Sequence, residues 1–218
     1  MVALIRSLFE SALKTNDALE FAVVTGCLRI SKESIFTGLN NLNIVSIMDT
    51  SYAEHFGFTQ SEVDRLLAHY GLEKNSKAVK TWYDGYQFGK TEVYNPWSVI
   101  SYVNSCYKDK NALLRPYWSN TSSNSIVRTL VEQADLSVKG EIESLIEGKT
   151  ITKPIHEDIT YDDMNSTQDN LWNFLFFTGY LKKISEQQEG ENILVEMAIP
   201  NSEVRYIYCL LYTSDAAD

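Results

Sequence analysis

Residues 82–100 read WYDGYQFGKTEVYNPWSVI, and how this stretch is taken decides the fold. Its Gly89-Lys90-Thr91 imitates the end of a phosphate-binding loop, which needs a glycine, four spacers, and Gly-Lys-Ser/Thr running directly into a helix. Here three residues separate Gly85 from Gly89, and Pro96 forbids an uninterrupted helix from Lys90. A second Gly-Lys-Thr, at Gly148, has Glu143 where the first glycine should stand. Neither is a nucleotide loop. The spacing instead predicts an aromatic turn over Trp82–Phe88, built on Trp82, Tyr83, Gly85 and Tyr86. A helix follows, capped by Asn95, with Pro96 at its first position and Val99, Ile100 and Val103 facing inward.

Upstream, Ala3–Leu13 places Leu4, Ile5, Leu8, Phe9 and Ala12 at helical spacing. The apolar run Phe21-Ala-Val-Val24 reads as a strand covered on both faces, and Asn43–Met48 as a second strand. The stretch between them is long enough for a crossover helix starting near Ser31, so residues 1–50 predict the end of a parallel α/β sheet. Thr59 then precedes Glu62 by three residues in a capping box, with Val63, Leu66, Leu67 and Tyr70 on one face before Gly71 ends the helix. Residues 51–107 therefore read as a small helical subdomain, with Lys74–Lys77 and Lys108–Asn111 as polar connectors.

Downstream, residues 108–208 read as helical, then mixed. Helical spacing recurs over Ser125–Val131, Gly140–Ile146 and, more strongly, Leu171–Leu181; Thr152–Tyr161 is extended. A turn at Gln187–Glu191 leads into a strand over Ile193–Ala198, and a helix begins near Glu203. Lys182-Lys183 follows an apolar helix, where cations are favoured.

The chain has 218 residues, 44% hydrophobic and 12% aromatic, enough for a sizeable core in one large or two small domains. A net charge of −10 argues against non-specific nucleic-acid binding, which needs clustered Lys and Arg. Cys27 and Cys106 lack the paired spacing of a zinc or redox site and read as buried small hydrophobes of a cytoplasmic protein. No apolar run is long enough to span a membrane. His55, His69 and His156 lie in separate regions, which predicts no metal site. The acid pairs Glu157-Asp158 and Asp162-Asp163 read as solvated, and no Gly-x-Ser-x-Gly nucleophile motif is present.

Together with TGCLRISKESIFTGLNNL (25–42), Tyr70-Gly71 and LWNFLFFTGYL (171–181), the 82–100 stretch resembles the bacterial AAA-ATPase-like family, from about residue 1 to about residue 208. That resemblance implies a P-loop ATPase domain, a helical region and a PD-(D/E)XK nuclease-like domain in one parent chain. The parent would bind ATP and magnesium, with nucleic acid an open partner for its nuclease-like part. It also implies that the phosphate loop and magnesium carboxylates lie upstream of Met1. The last ten residues, 209–218, match an in-frame translation of a sequencing adapter, as at the edge of a metagenomic fragment.

The expected fold is thus an α/β remnant of a P-loop NTPase sheet followed by a mainly α-helical, lid-like region, mostly α overall. The fragment would hold no cofactor and be catalytically inert. Arg29 is the first candidate for a phosphate sensor, with Thr25 and Lys32 after it, because open α/β sheets place ligands where parallel strands end. A rival reading is a non-catalytic module that binds a protein partner in a defence or toxin-like assembly. A weaker one is a carbohydrate platform formed by Trp82, Tyr83, Tyr86 and Trp97.

Overall fold

The computed structural model describes residues 2–14, 16–26, 42–120, 127–128, 135–156 and 168–215. Helix α1 (Val2–Leu13) forms where the apolar spacing places it, but Leu4 and Leu8 remain exposed. The two strands expected after it do not form. Residues 20–26 belong to no strand or helix, and Phe21 and Val23 are 79% and 77% exposed. Asn43–Met48 also lacks strand structure and ends in a turn. A run of apolar residues supplies only the faces of a strand; the ladder must come from a neighbour, and the described residues offer none here. The crossover helix expected between these segments lies outside the described residues, as does the helix expected over Ser125–Val131 apart from residues 127–128. The coarse expectation, a mixed and mostly helical chain, holds, whereas the parallel sheet remnant is not found among the described residues.

The first core is helical. In α2 (Gln60–His69), Thr59 and Glu62 close the capping box, Glu62 accepting from Thr59 N at 2.9 Å. Val63 and Leu67 are buried and Gly71, at φ +67°, ends the helix; Tyr70, expected on the inner face, is exposed. The polar stretch Lys74–Lys77 is not a connector but a helical start, leading into α3 (Ser76–Tyr83). The chain then turns at Asp84-Gly85 into a hairpin, β1 (Tyr86–Phe88) and β2 (Thr91–Val93), so the expected aromatic turn is the end of a helix followed by a strand. Helix α4 (Pro96–Lys108) starts as predicted, with Asn95 Oδ1 accepting from Trp97 N at 3.1 Å. Val99 and Val103 are buried, but Ile100 points outward. Val63, Leu67, Val79, Tyr83, Tyr94, Val99 and Tyr102 pack together as this core.

The second core pairs helices with a sheet. Helix α5 (Leu136–Ile146) is capped by Asp135, whose Oδ1 accepts from Val138 N at 3.0 Å. Strand β3 (Ile151–Ile155) leads to α6 (Gln168–Phe177), which stops at Gly179 in a left-handed conformation (φ +86°). Strands β4 (Lys182–Glu189) and β5 (Asn192–Ala198) form a hairpin turned at Gly190-Glu191, and β5 is the middle strand of an antiparallel sheet ordered β3-β5-β4. Lys182 and Lys183 therefore open a strand rather than end a helix. Along β5, Val195 and Met197 alternate inward while Glu196 accepts from Thr150 and Ser185 hydroxyls, each at 2.8 Å, on the outer face.

Helix α7 (Ser202–Asp215) closes this core with Val204, Ile207, Tyr208 and Leu211, the i, i+3, i+4, i+7 face of a helix. Leu211 is buried in the core, so the 209–218 segment that matches a sequencing adapter contributes to its packing. No described helix is long and apolar enough to cross a membrane.

Candidate functional site

The stretch 82–100 and the start of α7 meet where the two cores touch. Gly85 makes the approach close. It sits at φ +95°, and a Cβ there would lie 2.5 Å from the Pro200 carbonyl oxygen, so only glycine fits the turn. Asn201 Nδ2 donates to Asp84 O at 2.8 Å and its Oδ1 caps α7 through Val204 N. The Asp84 side chain is buried; Oδ2 lies 3.2 Å from Lys80 Nζ, and Oδ1 has no partner among the described residues.

Glu203, the second residue of α7, is fully buried. Ser98 Oγ of α4 lies 3.0 Å from Oε1 and 2.7 Å from Oε2, and Trp118 N donates to Oε1 at 3.0 Å. Burial pushes this carboxyl above the usual carboxylate range, against the opposing pull of the Trp118 N–H, the Ser98 hydroxyl and the Tyr117 N–H. Glu203 therefore joins α4, the short helix Tyr117–Asn120 and α7. Sequence reading placed it only at a helix start; its partner Ser98 is 105 residues away, beyond any local pattern.

Beside this junction is a cleft of about 200 Å³. One wall is the hairpin and the start of α4, with Phe56 stacked on Phe88 at 5.5 Å; the other is the end of α6, with Phe176 and Phe177. Tyr86 lines the cleft with its ring against Gly179, while its hydroxyl is buried beside the Asn95 and Asn201 amides without a well-formed hydrogen bond. Burial raises this phenol's pKa, so it stays neutral. From Tyr86 the rings continue inward through Trp118 and Tyr180 to Tyr208.

Another buried polar side chain, Asn173 of α6, is fully satisfied. Its Oδ1 accepts from His156 N at 2.7 Å, and its Nδ2 donates to Pro154 O and Asp169 O, tying the helix to β3.

The aromatic candidates divide. Tyr83 is buried, its hydroxyl donating to Arg115 O at 3.0 Å; Trp82 and Tyr86 are half-buried. Trp97 is 62% exposed, so the four rings do not share one open face as a sugar platform requires. Asn95 and Pro96 stand at the cleft rim. Thr25 is exposed on a segment without helix or strand, and Arg29 and Lys32 lie outside the described residues. Among the described residues no group of three or more His, Cys, Asp or Glu is placed to hold a metal ion.

No family model matches the chain, and no solved structure does. The chain is 27% identical over 208 residues, 92% of its length, to the "Uncharacterized protein in vnfD 5'region" of Azotobacter chroococcum mcd 1. It spans 36% of that relative's length.

Proposed function

We propose that this chain is part of a cytoplasmic AAA-ATPase-like protein whose longer form binds and hydrolyses ATP with magnesium, and that the body from α2 to α7 is its non-catalytic, coupling part. The resemblance of residues 25–42, 82–100 and 171–181 supports the family. The coupling role rests on one observation: Asp84, Ser98, Asn201 and Glu203, the polar groups that the two cores bring together, are buried as a joint between them. A joint of this kind makes the cores move as one piece, which is what a helical region driven by a nucleotide-binding sheet requires. The parent's nuclease-like domain, its substrate and any nucleic acid belong to the same proposal.

Calorimetric titration of magnesium-ATP into the 218-residue chain tests it. Binding should be millimolar or weaker, about 4 kcal/mol or less; micromolar, magnesium-dependent binding would overturn the non-catalytic reading. In a longer protein carrying the phosphate loop, Arg29→Ala should lower turnover more than ATP affinity if it senses the transferring phosphate.

A second reading, a protein-interaction module, is favoured by α4. Trp97, Ile100 and Tyr107 are 62%, 51% and 78% exposed on it, and Tyr70 meets Tyr107 edge to face at 6.5 Å. Ile100→Asp should then abolish partner capture while leaving ATP turnover in the longer protein unchanged.

A further inference from the structure

Ser98 and Glu203 meet in a geometry that a neutral carboxylic acid can satisfy hydrogen for hydrogen. A serine hydroxyl carries one proton, and Ser98 Oγ lies 2.7 Å from Oε2 and 3.0 Å from Oε1. Oε1 already receives the Trp118 N–H at 3.0 Å. If Glu203 were ionised, its two oxygens would share the Ser98 hydroxyl as a three-centre bond and hold a full charge in a fully buried site. With a proton on Oε2 each Ser98 contact has its own hydrogen and no charge is buried: Oε2–H donates to Ser98 Oγ, and the Ser98 hydroxyl donates to Oε1.

No compensating cation faces the carboxyl among the described residues. From α4 it meets Ser98, from the short helix the Trp118 and Tyr117 N–H groups, and from β1 and α3 the phenols of Tyr86 and Tyr83, which burial keeps neutral. Lys80 Nζ pairs with the Asp84 carboxylate and Lys182 Nζ lies near Gly85, and neither is among the groups that act on the Glu203 carboxyl. An uncompensated carboxylate buried this way is costly, and the group neutralises instead.

The geometry points to Glu203 as a neutral carboxylic acid in the folded protein, donating to Ser98, so that the joint between the two cores closes with uptake of a proton and loosens as the solution becomes more alkaline. The direction follows from linkage. A carboxyl that titrates higher in the folded than in the unfolded chain adds stability that is complete below its unfolded pKa and is lost as pH rises through its folded value. This inference concerns the joint alone and stands whether or not the parent is an ATPase.

Carboxyl ¹³C NMR of the intact chain labelled at glutamate is the direct test. One glutamate should titrate above the ordinary range, and its resonance should be missing in Glu203→Gln. Urea unfolding between about pH 5 and about pH 8 should show the wild type losing stability relative to Glu203→Gln as pH rises, because glutamine keeps a donor and an acceptor but cannot ionise. If every glutamate of the wild type titrates in the ordinary range, or the wild-type and Glu203→Gln profiles run parallel, the proposal is wrong. The NMR measurement on the wild type decides even if a variant does not fold.

Discussion

Asn201 grips the turn at Asp84 across 117 residues of sequence, its Nδ2 donating to the Asp84 carbonyl at 2.8 Å while its Oδ1 caps α7. Asn201→Ala removes both bonds and leaves a buried carbonyl unpaired. Loss of a cap costs about 1 kcal/mol and an orphaned buried acceptor about 1–3 kcal/mol, so a total near 3 kcal/mol is expected from urea denaturation. Asn201→Asp keeps the cap but loses the donor, and should recover only the smaller part.

Gly85→Ala should be among the most damaging single-methyl changes in the chain. The added Cβ meets a backbone oxygen, the Pro200 carbonyl at 2.5 Å, at a backbone angle of +95°. A loss of about 2–3 kcal/mol is expected from the conformation and the clash together. Gly140→Ala is the control: a Cβ there meets nothing within 4 Å, and alanine in a helix interior should stabilise by up to about 1 kcal/mol.

The tryptophans should separate by burial. Trp172 is fully buried, and Trp172→Ala should cost about 3–5 kcal/mol. Its Nε1 has no hydrogen-bond partner among the described residues, so Trp172→Phe should retain much of that stability. Trp82 is only half-buried, and its alanine variant should lose well under half as much. Thermal melts of the three variants, compared at one pH, check the order.

Leu211→Ala should cost about 2–4 kcal/mol, as buried leucine truncations do, because Leu211 completes the inner face of α7. A variant ending before Cys209 should lose at least as much. Equal melting temperatures for the intact and shortened chains would return residues 209–218 to the status of a passive tail.

What could be read from sequence was local. Thr59 with Glu62, Asn95 with Pro96, and Gly71 after an apolar face each encode a helix boundary within four or five residues, and each is found in the fold. The failures share a cause. Phe21–Val24 carries the composition of a covered strand, but composition does not provide a ladder, and its side chains are exposed. Ile100 lies between the buried Val99 and Val103 and was assigned to their face, yet one residue is about 100° of helical turn. The joint was the least legible part: Glu203 looked like an ordinary acid at a helix start, and nothing near it in sequence signals that Ser98 and Trp118 enclose it.

The span of that joint also sets an order of assembly. The first core draws its buried residues from Val63 to Cys106, with Phe58 and Tyr117 packed against it, so it can condense from contacts within one continuous stretch. The second core needs Val204, Ile207, Tyr208 and Leu211 from the last helix, and that helix also delivers Asn201 and Glu203 to the first. During synthesis the hairpin, the Asp84 turn and Ser98 are therefore made long before their partners leave the ribosome. Long-range closure of this kind is slow, and the apolar walls beside Tyr86 and Trp118 stay uncovered until it occurs. The newly made chain is in this interval a natural client for a chaperone that binds exposed aromatic surface.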